Sequence, residues 1–156
     1  MTMNSFEQVR EFNDRRRRAG RRGFGVLDLY PAGTAALVEA ADSLGWSDTL
    51  LGEKMGVSPV AAQSLRGETR KRVRARKGDP HWMPPKRRFG NFEELRWHIA
   101  AEIDAGTKSI RWTGNAPELL ILEHKKGRKW RDIARDLGVS RDKVYDIAMR
   151  HIWRQK

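Results

Sequence analysis

The chain has 156 residues, of which 38% are hydrophobic, so it can form one mid-sized domain or two small ones. No apolar run approaches the roughly 20 residues that a membrane span needs, and the lack of cysteine excludes disulfides and thiolate metal sites. The net charge of +12 indicates an anionic partner, either nucleic acid or an acidic membrane surface, and clustering of the basic residues argues against a role in solubility alone.

The N-terminal segment is polar and ends in arginines at positions 15–18, 21 and 22. We expect residues 1–33 to form a basic arm. Such an arm either adds electrostatic affinity for DNA or remains a disordered tail.

Residues 34–69 predict three short helices, over 34–44, 47–55 and 59–67. Ser47 is a good N-cap for the second helix, which stops at Gly56. Ser58 caps the third helix and is followed by a proline, which suits the first helical position. Gly67 is expected to end this helix.

Residues 70–90 change character, because basic residues and three prolines replace the apolar pattern. This composition predicts an extended basic linker in direct contact with DNA. Its candidate contact residues are Arg70, Arg72, Arg74, Arg76, Arg87 and Arg88.

Residues 91–156 predict a longer helix over 92–105 with Asn91 as its N-cap, then helices over 117–126, 130–137 and 141–153. No segment shows a convincing strand pattern. The chain is therefore expected to be all-α, with two small trihelical helix-turn-helix units joined by a basic Pro-containing linker and one longer helix.

The phrase Gly-Val-Ser occurs twice, at 56–58 and at 138–140, an offset of 82 residues. In each copy the glycine allows a positive φ angle at a turn, and the serine caps the next helix. Small and apolar residues recur at matching positions on both sides. Two such helical pairs in one basic chain indicate a protein that contacts duplex DNA with both.

Three segments resemble known families. Residues 34–69, ending in Arg66-Gly67, resemble the phage-repressor type of helix-turn-helix. Residues 110–153, with Trp112-Thr113, WRDIA and GVSRDKVYDI, resemble a Myb- or homeodomain-like unit. The stretch HWMPPKRRFGNFEELRWHIAAEID is similar to the middle of actinobacteriophage immunity repressors, which join a helix-turn-helix to a second DNA-contacting domain and can act as monomers. The resemblance implies a phage-type transcriptional repressor that can bind as a monomer. The two unequal helix-turn-helix units in one chain predict that it reads an asymmetric site.

The outward positions of the two recognition helices are the candidate DNA contacts. Gln63 suits adenine, Val60 a thymine methyl and Arg141 guanine. Asp142 either reads cytosine amino groups, rejects wrong bases or orients Arg141. The full sets are Ser58, Pro59, Val60, Gln63, Ser64 and Arg66 in the first unit, and Ser140, Arg141, Asp142, Lys143, Tyr145 and Arg150 in the second.

Other chemistry is weakly indicated. Glu94, His98 and Glu102 share one helix face, and a solvated charged face is a better interpretation than a metal site. The tryptophans at helical spacing are expected in the cores, and Trp82 in the predicted linker is the exception, a candidate for stacking on single-stranded bases. We therefore expect no enzyme activity, metal, cofactor or membrane partner, and a location in the cytoplasm of a bacterial host cell. Two alternatives stay open: an accessory subunit of a packaging, recombination or nuclease machine, and an RNA-binding protein.

Overall fold

The computed structural model describes residues 2–20 and 33–156, and this part of the chain is all-α, as predicted. It forms two compact units, Met1–Pro85 and Lys86–Lys156. The helices of the described part are α1 (Phe6–Arg18), α2 (Thr34–Ser43), α3 (Asp48–Met55), α4 (Pro59–Lys77), α5 (Phe92–Asp104), α6 (Ala116–Lys125), α7 (Trp130–Leu137) and α8 (Arg141–Arg154). None of these helices is both long and apolar enough to cross a lipid bilayer.

The predicted N-terminal arm is wrong for residues 6–18, which form helix α1 of the first unit. Ser5 caps it by accepting a hydrogen bond from the Gln8 amide at 3.3 Å. Val9 and Asn13 are buried, and Val9 packs in the core with α2, α3 and α4. The arginine run occupies the last turn of α1, where positive charge stabilises the helix dipole. The rest of the predicted arm, residues 21–32 with Arg21 and Arg22, lies outside the described residues.

The third predicted helix is longer than expected. It passes through Gly67 and ends at Lys77, where Gly78 takes the left-handed conformation with φ of 69°. Val73 is 2% exposed in the added half. Because burial of this residue and ion pairs to α2 stabilise the extension, one glycine does not stop the helix.

The predicted linker of residues 70–90 is therefore wrong at both ends. Residues 70–77 belong to α4. At the other end, Phe89 is buried in the core of the second unit. The Asn115 side chain accepts from the Phe89 amide and donates to the Phe89 carbonyl, both at 2.7 Å.

The second unit packs α5, α6, α7 and α8 around one core. Its fully buried residues include Leu95 on α5, Leu120 on α6, Ile133 on α7 and Val144 on α8. The predicted boundaries of these helices agree with the structure to within one residue, and α7 agrees at both ends.

The interpretation of the α5 face as solvated holds for Glu94, which is exposed, and is wrong for His98 and Glu102. His98 is 8% exposed and Glu102 is 2% exposed. The Glu102 carboxylate accepts from the Thr107 hydroxyl at 2.7 Å, and the His98 ring lies 5.4 Å from that of Phe89. Within the described residues, no group of three His, Cys, Asp or Glu side chains is placed to hold a metal ion.

Candidate nucleic-acid interface

The two Gly-Val-Ser tripeptides form turns of the same geometry. Gly56 and Gly138 have φ angles of 71° and 73°, and each ends a helix in the left-handed conformation. The following valine amide donates back to the carbonyl five residues earlier, from Val57 to Gly52 at 2.9 Å and from Val139 to Ala134 at 3.1 Å. The serine then caps the next helix through its hydroxyl oxygen, at 3.2 Å in both copies. The predicted local geometry is confirmed.

The outward face of α4 is exposed over its first two turns. Ala62 and Leu65 face the core, whereas Val60 is 71% exposed. The other predicted contact residues of this face are exposed as well, namely Ser58, Pro59, Gln63 and Ser64. This surface is nearly uncharged and has small side chains.

Arg66 does not belong to this face, contrary to the prediction. Its side chain is 10% exposed and points inward. The guanidinium donates to the Asp48 carboxylate at 2.6 Å and to the Trp46 carbonyl at 2.7 Å. It also lies 3.4 Å from the Asp42 carboxylate. Arg66 therefore ties α4 to the loop before α3 and is unavailable to a base.

Arg70 was predicted to contact DNA from the linker, and it instead pairs with a carboxylate inside the first unit. It forms a bidentate pair with Asp42, at 2.7 and 2.6 Å, and its hydrogen bond to that carboxylate raises the pKa of the guanidinium. The pair joins α4 to α2. Spacing on a presumed linker could not reveal this partner, which is 28 residues away.

The remaining basic residues of the predicted linker differ among themselves. Arg74 donates to the Trp82 carbonyl at 2.8 Å, and Arg76 pairs with Glu39 at 3.2 Å on the surface. Arg87 is half-buried with its guanidinium 4.8 Å from the centre of the Phe89 ring, and burial lowers its pKa. Arg72 and Arg88 are exposed. The basic residues of this segment therefore differ in their contacts and exposure, and they do not form one uniform cationic surface.

The outward face of α8 carries formal charges and an aromatic ring. The predicted contacts Ser140, Arg141, Asp142, Lys143, Tyr145 and Arg150 are all exposed, while Val144 and Ala148 face the core. The Arg141 guanidinium lies 3.3 Å from the Asp142 carboxylate and 5.6 Å from the centre of the Tyr145 ring. These contacts favour the hypothesis that Asp142 orients Arg141.

An aromatic stack lies behind this face. The rings of Tyr145 and Trp130 form a T-shaped pair with their centroids 6.2 Å apart, and the Trp130 ring stacks on His124 with a centroid distance of 4.0 Å. Together with Arg131 and Arg141, the last two rings line a cavity of about 410 Å³. The stack restricts the position of the Tyr145 ring, which is also the ring that the Arg141 guanidinium contacts. Two other tryptophans contradict the core prediction, because Trp97 and Trp153 are 68% and 67% exposed.

The sequence analysis did not predict that α1 lies beside the turn before α4. Arg10 pairs with Glu53 at 3.2 Å, and Arg17 donates to the carbonyl of Gly56 at the turn before α4. Both line a cavity of about 690 Å³ that also reaches Ser58. The signal was the helical spacing of Phe6, Val9 and Asn13, which places these three residues on one helix face and leaves the arginines on the others.

Comparison with known proteins yields no relative. No family model matches the chain, and no curated protein or solved structure matches it either. The functional assignment therefore depends on the geometry and charge of the chain itself.

Proposed function

We propose that this protein is a sequence-specific, double-stranded DNA-binding transcriptional regulator of the phage-repressor type. The observation that carries the proposal is the pair of exposed helix faces on α4 and α8. Each follows a serine-capped glycine turn, has its apolar residues facing the core, and leaves side chains suited to base edges pointing outward. The net charge of +12 supports attraction to phosphates.

The two faces are chemically unequal. The α4 face offers a valine, a glutamine and hydroxyls, whereas the α8 face offers Arg141, Lys143 and Tyr145. Two different surfaces do not read two identical half-sites. We therefore propose that one chain reads an asymmetric sequence with both helices, and that it represses by occupying promoter DNA.

The test is selection of duplexes from a random pool by the full chain, followed by binding measurements on the selected sequence. An asymmetric consensus is the expected result, and a palindrome would indicate a dimer. Arg141→Ala should relax the preference at one position and cost about tenfold or more on the selected duplex, with little change on random DNA. Equal losses on both duplexes would contradict base reading by Arg141. Tighter binding to structured RNA at matched salt would contradict the proposal as a whole.

A further inference from the structure

A cavity of about 340 Å³ lies between the α5–α6 loop and the start of α8. One wall comes from the loop, with Lys108, Ser109 and Trp112. The other wall comes from the first turn of α8, with Ser140 and Lys143. The sequence analysis predicted no DNA contact in this loop.

The chemistry of this cavity suits an anion. Two exposed lysines stand on its opposite walls, and every other side chain that lines it is neutral. The cavity also meets the N-terminal end of α8, a helix of 14 residues whose dipole is positive there. The Ser140 oxygen accepts from the Lys143 amide at 3.2 Å, which leaves its hydroxyl proton to donate elsewhere.

Trp112 supplies an independent indication. Trp112 is one of the residues that line the cavity, and its indole N–H is buried and meets no acceptor among residues 2–20 and 33–156. A buried donor without an acceptor destabilises the fold, because it has lost its hydrogen bond to water and gained none in return. Tryptophan has a donor and no acceptor, so only a group with a lone pair satisfies it. An anionic oxygen that enters the cavity, with a small adjustment of the loop, provides that lone pair.

We propose that this cavity binds one phosphate of the DNA backbone, beside the base edges that α8 reads. The inference rests on the proposed function and deepens it. Lys108 and Lys143 neutralise the phosphate, and the Trp112 N–H and the Ser140 hydroxyl hydrogen-bond its oxygens. A phosphate contact carries no sequence information, but it fixes the register and angle of the recognition helix on the duplex.

The first experiment measures the salt dependence of binding to the selected duplex by fluorescence anisotropy. Lys108→Ala and Lys143→Ala should each reduce the slope of log Kd against log salt concentration by about 1. The matched control is Lys125→Ala, which removes the same charge from an exposed position outside the cavity. Equal slopes for all three variants would overturn the proposal.

The second experiment locates the phosphate. Single neutral methylphosphonates are placed along the duplex, one position at a time. At one position the substitution should weaken wild-type binding about tenfold and leave the Lys108→Ala, Lys143→Ala double variant unchanged. Additive losses at every position would overturn the proposal.

Trp112→Phe keeps an aromatic ring and removes only the donor. It should weaken binding several-fold on selected and scrambled duplexes alike, and its methylphosphonate effect at the same position should shrink. If Trp112→Phe lowers the melting temperature, the lysine variants still decide the question. A wild-type chain that binds no duplex refutes the proposed function. A wild-type chain that binds its duplex while the cavity variants behave like Lys125→Ala refutes this inference alone.

Discussion

Replacing Asp42 by asparagine should destabilise the first unit far more than removing another carboxylate from the same helix. The Asp42 side chain is 8% exposed and faces the guanidiniums of Arg66 and Arg70, which are 10% and 29% exposed. Loss of the charge leaves two guanidiniums close together with Asp48 as the one remaining carboxylate of the cluster, and one of the two guanidiniums is buried. Breaking a buried pair costs about 3–5 kcal/mol, and since Arg70 is partly solvated and asparagine still accepts one hydrogen bond, we expect about 3 kcal/mol. The opening equilibrium should then rise about 100-fold.

Hydrogen exchange of the full chain measures this change locally. Peptides from α2 and α4 should exchange about 100-fold faster in Asp42→Asn, while peptides from α5 to α8 serve as an internal reference. The control is Glu39→Gln, which removes one charge from α2 at a surface pair with Arg76. An exposed pair is worth at most about 1 kcal/mol. Similar exchange rates in the two variants would refute the reasoning, and would return Arg66 and Arg70 to the set of candidate DNA contacts.

Three further predictions test the fold. Gly67→Ala should stabilise the first unit by about 1 kcal/mol in urea unfolding, because the helix passes through this position and an added Cβ has nothing within 4 Å; a loss of stability would mean that the helix ends there. Gly114→Ala should cost about 3 kcal/mol, since φ is +64° and the new Cβ would overlap the Arg87 carbonyl, whereas Gly106→Ala, with φ of +79° and open space, should cost about 1 kcal/mol. Burial, reinforced by the charge of Arg87, lowers the pKa of His98 below its ordinary value. The fold therefore favours the neutral ring, so the second unit should keep its full stability above about pH 6.5 and lose stability as the pH falls below that value; thermal melts at several pH values should show a smaller loss in His98→Gln.

Local sequence signals were sufficient to predict the helices of the second unit. Asn91 before α5 and the glycine after α7 act within one turn of the backbone, so short stretches of sequence contain the information. The same is true of the Gly-Val-Ser turns, whose hydrogen bonds join residues no more than five apart. The helical period alone predicted which positions of α4 and α8 are exposed, with Arg66 as the exception.

The wrong predictions concern residues whose partners lie far away in the sequence. Arg66 lies at an outward-looking position of a short predicted helix, and its acceptors are 18 and 20 residues away. Helix α1 was not predicted because it ends in an arginine run and its buried face has only a few apolar residues, with Asn13 at one of the buried positions. The basic residues after Gly67 suggested a linker, although Asp42 and Glu39 were available on α2 to pair with them.

The cluster of Asp42, Asp48, Arg66 and Arg70 has a consequence for how the charge of this protein is counted. It joins two carboxylates to two guanidiniums, so its formal charges cancel and its far field is weak. The affinity of a protein for DNA falls with salt in proportion to the phosphates it neutralises, and arginines with internal counter-ions neutralise none. The ionic sensitivity of this protein will therefore reflect a smaller number of cations than its sequence contains.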